Sequence, residues 1–227
     1  MTTTPAKTPL QTAEISDDLA PMEWFRGYVL IPLSEFGQSL DSPDLGVWLE
    51  GFSGRNNDAV GDFEITARGE LKIMSPIGMP GDWHQAEIMT SVLVWAREAG
   101  GRAGGPTSAF WLVDGSLRGP DTWWMSAERW NSLPADARKP FRTGTPDFLV
   151  EIVSSSNLGS ELEDKVQVYL QGGARLVWVI NARLRRVAIY RPDAEPEILQ
   201  DPDALGGGDV LPGFAFNVRK RIFDNAP

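Results

Sequence analysis

The chain has 227 residues, 42% of them hydrophobic and 23% charged, enough for one sizeable core. The absence of cysteine excludes disulfides and thiolate metal sites, and a lone histidine, His84, rules against ordinary zinc coordination, so any metal here has to be held by oxygen. The net charge of −10 argues against general attraction to nucleic acid or acidic membranes, and no apolar run approaches the roughly 20 residues that cross a bilayer.

Met1 to Leu10 has neither the basic start nor the apolar centre of a signal peptide, which places the protein in the cytoplasm. From Met1 to about Pro21 the chain reads as a tail, rich in Thr, Ala, Pro and acids and without hydrophobic periodicity. Residues 22–60 form an extension in which Trp24, Phe25, Tyr28 and Trp48 alternate with Gly and Pro breaks, and the run Gly54 to Asp58 reads as a loop. Two alternating runs, Asp62 to Thr66 and Glu70 to Met74, flank Ala67-Arg68-Gly69 and predict a β-hairpin. Asp82 is the expected N-cap of a helix whose apolar positions Ile88, Val92, Trp95 and Ala99 recur until Gly100-Gly101.

Three strands are expected next, Ser108 to Val113, Asp121 to Ser126 and Asp147 to Ser154, with an insertion from Trp130 to Arg142 that has room for a short helix. Ser160 and Glu163 form a capping-box pattern that opens a second helix, with Leu162, Val166, Tyr169 and Leu170 on its apolar face. Arg175 to Asn181 and Arg186 to Arg191 read as a strand pair. Helix, three strands, helix, strand predicts an α/β sandwich built on a mixed sheet.

Glu151 stands out because Phe148, Leu149, Val150, Ile152 and Val153 fill both faces of its strand, and an ionised carboxylate there needs a cation, a metal or a cleft. Side chains alternate along a strand, so Asp147, Leu149, Glu151 and Val153 share one face. At roughly 3.3 Å per residue Asp147 lies about 13 Å from Glu151, too far to share an ion, and it reads first as a turn acid. Asp121, opening the preceding strand, can approach Glu151 in a suitable register, and with a backbone carbonyl the two acids make a hard site for a Mg²⁺-like ion. The sequence leaves that register open. A structural ion pair at Glu151 is the alternative reading.

From Asp62 to Phe223 the chain resembles the Uma-two family of restriction-endonuclease-like proteins, within the PD-(D/E)XK nuclease superfamily. The resemblance rests on Phe63-Glu64-Ile65 with Gly69-Glu70, Gly119-Pro120-Asp121, Pro146-Asp147-Phe148-Leu149-Val150-Glu151-Ile152, Glu163-Asp164-Lys165, Gly172-Gly173-Ala174-Arg175 and Leu211-Pro212-Gly213-Phe214. It implies an αβββαβ core, a mixed β-sheet flanked by helices, in residues 61–227, with residues 1–60 as tail and extension. It also implies metal-dependent hydrolysis of DNA phosphodiesters, with Mg²⁺ or Mn²⁺ held by Asp121, Glu151 and the Ile152 carbonyl. The superfamily lysine would fall at position 153, where this chain has Val153, so the resemblance moves that role to Lys165 on the second helix; Ser155 stands where the family has proline. Lys165, at the edge of the stripe formed by Leu162, Val166 and Tyr169, can reach toward the sheet.

Superfamily nucleases often use a glutamate on the first helix, which makes Glu87 a catalytic candidate, with His84 beside it at i, i+3 as an accessory group; a solvated helix face is the plainer reading. Trp123-Trp124 alternates across its strand, so one ring is expected in the core and the other toward the cleft or a partner. Between Val166 and Arg191 lie Arg175, Arg183, Arg185, Arg186 and Arg191 and no acid, an expected contact to phosphates. Trp24, Trp48 and Trp124 suggest exposed apolar area and a homodimer. A catalytically inactive module that keeps the fold and binds a protein or nucleic acid is the competing function.

Overall fold

The computed structural model describes residues 28–55, 62–74, 78–134, 142–153 and 160–224. The expected tail, Trp24, Phe25, Asn56 to Asp58 and Ser155 lie outside these residues. In chain order the elements are β1 (Tyr28–Pro32), α1 (Leu45–Arg55), β2 (Phe63–Ile65), β3 (Glu70–Met74), α2 (Met79–Ala99), β4 (Arg102–Gly104), β5 (Phe110–Trp111), β6 (Leu117–Arg118), β7 (Thr122–Met125), α3 (Ala127–Ser132) and β8 (Arg142–Thr143). Then follow β9 (Phe148–Ile152), α4 (Ser160–Gln171), β10 (Leu176–Asn181), β11 (Arg186–Tyr190), β12 (Glu197–Gln200), β13 (Leu205–Gly206), β14 (Ala215–Phe216) and a π-helical turn at Arg219–Phe223. Gly54 and Arg55, expected in a loop, are instead the last residues of α1.

The larger core is built on the mixed sheet β12-β11-β10-β9-β7-β4. β9 lies inside it, parallel to β10 and antiparallel to β7, and all five of its residues are buried. The parallel pair is closed by α4, as a crossover requires. Alternation along β9 does what the sequence predicts. Phe148, Val150 and Ile152 face one layer with Ile88, Val92 and Ala96 of α2 and with Trp178 and Phe214, while Leu149 faces the other with Val166 and Tyr169 of α4. Trp178 is fully buried, edge-on to Phe148 at 4.9 Å between ring centroids and stacked on Phe214 at 6.1 Å. Each such side chain contributes on the order of 2–3 kcal/mol by leaving water.

Three local expectations change. α2 begins at Met79 with Gly78 as its N-cap and Pro80 in the first turn, where a missing N–H costs nothing, so Asp82 sits inside the first turn near the positive helix end. Its inner stripe takes Ala96 rather than Ala99, which is exposed. The first core strand is β4, not Ser108–Val113; the latter contributes only β5, in the other sheet. β4 lacks β-branched residues because it lies under large rings: a Cβ on Gly104 would meet Trp123 at 2.8 Å.

Trp123 and Trp124 are both buried, packed edge-on against Phe110 and Trp95 respectively, so neither faces a cleft or partner. Trp48 is half-buried and stacks on Phe52. The apolar surface from which a homodimer was expected is therefore core at Trp124 and largely core at Trp48.

The second sheet runs β1-β3-β2-β6-β5-β8 and packs Ile65, Leu71 and Leu117 against Leu33 and against Leu45 and Leu49 of α1. The predicted hairpin is its centre: β2 and β3 pair antiparallel, and Gly69 turns with φ +76°, a left-handed value that suits glycine. β1 pairs along all of β3, so the segment from Tyr28 joins the hairpin's sheet. β6 belongs to this sheet and β7 to the other, and the chain crosses between them in Gly119-Pro120-Asp121. No helix among the described residues is long and apolar enough to cross a membrane.

Candidate active site

The crossing segment delivers Asp121 to the end of β9. Thr122 pairs with Val150 in the antiparallel β7–β9 ladder, so one residue earlier Asp121 stands opposite Glu151. Asp121 Oδ2 accepts the Ile152 N–H at 2.5 Å, and its Oδ1 accepts from Gln85 Nε2 on α2. The N–H and C=O of one strand residue point to the same edge, so the Ile152 carbonyl is directed to Asp121's side as well. The register that the sequence leaves open is thus the one that joins the two acids.

Glu151 is 1% exposed. Its Oε1 accepts from the Tyr169 hydroxyl at 2.9 Å, and Lys165 Nζ lies 3.0 Å from Oε1 and 3.1 Å from Oε2. Lys165 and Tyr169 reach one carboxylate because they are four residues apart on α4, on the same face of the helix. Lys165 also donates to the Gly119 carbonyl at 3.1 Å and pairs with Glu64 Oε1 at 3.1 Å. Glu64, from β2, is 3% exposed; its Oε1 accepts the Gly119 N–H at 3.0 Å and its Oε2 pairs with Arg118 at 3.1 Å. Next to it Lys72 is buried between the Tyr28 ring, at 4.2 Å, and an ion pair with Glu161.

Two carboxylates therefore contact Lys165, with Asp121 close enough to feel its charge, and the electrostatics divide the three. Burial pushes Glu64 up, but Lys165, Arg118, the Gly119 N–H and Lys72 together outweigh it and hold it at about 2. Glu151 is pushed up to about 7 by burial, which Lys165 only partly offsets while Asp121 and Glu64 repel its charge. Burial also raises Asp121, against its hydrogen bond from Ile152 and the charge of Lys165. Lys165 is stabilised as a cation: burial works against it, and Glu151, Glu64 and Asp121 prevail. Two neighbouring acids held above their ordinary range mark a place short of positive charge.

Of the residues singled out in the sequence, Asp121, Glu151, Ile152 and Lys165 come together and Glu87 does not. Glu87 pairs with Arg221 of the C-terminal turn. Two residues along a helix turn the side chain by about 200°, so Gln85, not Glu87, faces Asp121. His84 is buried with Nε2 unpaired, against the Ile222 backbone, and its pKa is lowered by that burial. Asp147 is a turn acid, accepting from the Ser126 N–H at 2.8 Å and pairing with Arg129 at 3.0 Å. Val153 packs with the core beside α4. Three arginines of the run carry ion pairs: Arg175 with Asp209, Arg185 with Asp201 and Asp224, and Arg191 with Glu197.

Glu64, Gln85, Arg118 and Tyr169 are site residues that the sequence reading passed over. Glu64 alternates with Phe63 and Ile65 as a solvent-facing hairpin acid would, and a neutral Gln85 on a helix carries no signal. Only the pairing of Glu64 with Lys72 across the hairpin hints at a buried charge pair.

The donor set fits a hard, hydrated cation: two adjacent carboxylates, a backbone carbonyl, and no sulfur or imidazole. Among the described residues no group of three or more His, Asp or Glu side chains is arranged to hold a metal, so water or substrate oxygens would complete the shell.

Comparison with solved structures finds a "putative nuclease belonging to DUF820" from Anabaena variabilis, 18% identical, with a TM-score of 0.61 over 72% of this chain and 90% of that one. At that identity the likeness is one of fold. No protein of curated function matches the chain. The model of a family described as "Uma2: Putative restriction endonuclease" matches residues 37–219, which takes in β2, the Gly119-Pro120-Asp121 crossing, β9 and α4. With the match spanning most of its length, the chain belongs to the Uma2 family.

Proposed function

We propose that this protein is a metal-dependent endonuclease of the restriction type, hydrolysing phosphodiester bonds of DNA. The observation that carries this reading is the placement of Asp121 opposite Glu151 on adjacent strands with Lys165 against Glu151. The family's description and the fold shared with the Anabaena protein support it.

Asp121, Glu151 and the Ile152 carbonyl would hold Mg²⁺ or Mn²⁺. Such an ion supplies Lewis acidity, lowering the pKa of water and neutralising charge on the phosphate. The protein's own groups prepare the site. Gln85 and the Ile152 N–H fix the orientation of Asp121, and Tyr169 fixes that of Glu151. Lys165 keeps its proton in this acidic setting and is therefore available to a phosphate oxygen as charge develops there.

The test is a cleavage panel over single-stranded DNA, duplex DNA and RNA with Mg²⁺ or Mn²⁺ titrated in, for wild type, Asp121→Asn and Glu151→Gln. DNA cleavage that requires the divalent ion and falls by at least about 10²-fold in both variants is expected. Wild-type protein that neither cleaves nor gains thermal stability from divalent ions would leave a non-catalytic binding module as the better reading.

A further inference from the structure

Lys165 has two acidic partners, and only one of them is a candidate metal ligand. The other, Glu64, comes from the hairpin sheet and reaches across the crossing segment. Its Oε1 accepts the Gly119 N–H, while Lys165, paired to the same oxygen, donates to the Gly119 carbonyl. One residue is thus held at both its amide groups by an acid and a base, two positions before Asp121. Space beside Gly119 is tight: a Cβ there would lie 3.2 Å from the Pro106 carbonyl and 3.3 Å from that of Ser108. Oε2 is closed off by Arg118.

Within its own sheet Glu64 already has Arg118 of β6 to balance its charge. The hairpin partner of Glu64, Lys72, has its own ion pair with Glu161 and its own ring contact with Tyr28. A carboxylate that only balanced Arg118 would not extend to α4. Apolar residues of similar volume would often stabilise such a buried position at least as well, so retaining three charges there calls for a role beyond packing.

We propose that Glu64 is a positioning residue of the active site: it anchors the Lys165 ammonium and the Gly119 peptide together, so that the lysine stays in place when Glu151 is engaged by a cation. The last clause rests on the endonuclease reading; the anchoring does not. The hairpin sheet is then a working part of the site, and Lys165 has its second support on β2.

The anchoring is tested without metal or substrate, by lysine-selective ¹⁵N NMR of the Lys165 ammonium. Its slowly exchanging resonance is expected in wild type and in Glu151→Gln, and is expected to vanish in Glu64→Gln with Glu151→Gln. Loss in Glu151→Gln alone, with retention in Glu64→Gln alone, would overturn the proposal. In the cleavage assay Glu64→Gln should lower kcat by about 10²-fold with KM changed less than about threefold and divalent thermal stabilisation kept, since displacement of a reacting group by about 1 Å costs that much. Glu64→Asp keeps the charge for Arg118 but is one methylene too short for Lys165, so it should fold and show the same loss. Wild-type kcat in both variants would refute the role. If wild-type protein does not cleave DNA at all, the endonuclease reading fails, and the resonance experiment still decides the anchoring.

Discussion

Replacing Lys165 with alanine tests the charge cluster directly. The side chain is 10% exposed and is bound to Glu151, Glu64 and the Gly119 carbonyl. Breaking a buried pair by removing one partner costs about 3–5 kcal/mol, because the other charge is left uncompensated. Two features put this case at the lower end: Glu64 keeps Arg118 and the Gly119 N–H, and Glu151, already at about 7, can take up a proton. Without the lysine, Glu151 rises further above the 4.5 of an ordinary glutamate, so between those values the folded variant binds more protons than the unfolded one and loses stability as pH rises. The expected loss relative to wild type is about 3 kcal/mol near pH 8, or about 6–12 °C in Tm, and markedly less near pH 5.5. Urea unfolding at both pH values, with an unchanged m-value, measures it. A loss below about 1 kcal/mol near pH 8, or one that does not vary with pH, would refute a buried Lys165–Glu151 pair. Pairing Lys165→Met with Glu151→Gln should recover most of the stability, because both charges are then gone.

Tyr169→Phe removes the hydroxyl that donates to Glu151 and should cost about 1.5–3 kcal/mol in chemical denaturation, the range for a buried hydrogen bond to a charged group. Glu64 titrates at about 2 when folded against 4.5 ordinarily, so it contributes on the order of 3 kcal/mol that is present above pH 4.5 and lost as pH falls toward 2; acid titration of Glu64→Gln should lack that part of the transition. Glu87→Ala should leave cleavage unchanged within about twofold and stability within about 1 kcal/mol, because the residue pairs with Arg221 and not with the acids of the site.

Periodicity carried much of the fold. The apolar run at Phe148–Ile152 identified the central strand, and its alternation put Leu149 and Glu151 on one face, which the structure turns toward α4. The hairpin and the β10–β11 pair followed from turn chemistry. What sequence could not supply was register and sheet membership. β6 and β7 are separated by three residues yet lie in different sheets, and no local pattern announces that the chain changes sheet at Gly119-Pro120-Asp121. The same blindness hid Glu64, whose partners come from other elements, and the acids that pair with Arg175, Arg185 and Arg191. β4 was missed for another reason: Ala103 and Gly104 are small so that tryptophans can cover them, which is the opposite of strand propensity.

The bridges between the two sheets also bear on the order of folding. The β2–β3 hairpin is local and can close in microseconds, but Glu64 meets Gly119 across 55 residues and Lys72 meets Glu161 across 89. Contacts of such separation form only after the loop entropy between them has been lost, so they belong to the late, slow part of folding. Until the sheets dock, Glu64 remains hydrated and ordinary in its proton affinity, and Lys165 has Glu151 as its one acidic partner. The low proton affinity of Glu64 and the second anchor of Lys165 arise in the same step that joins hairpin to core. A chain arrested before that step has its two acids side by side and a lysine held from one side alone.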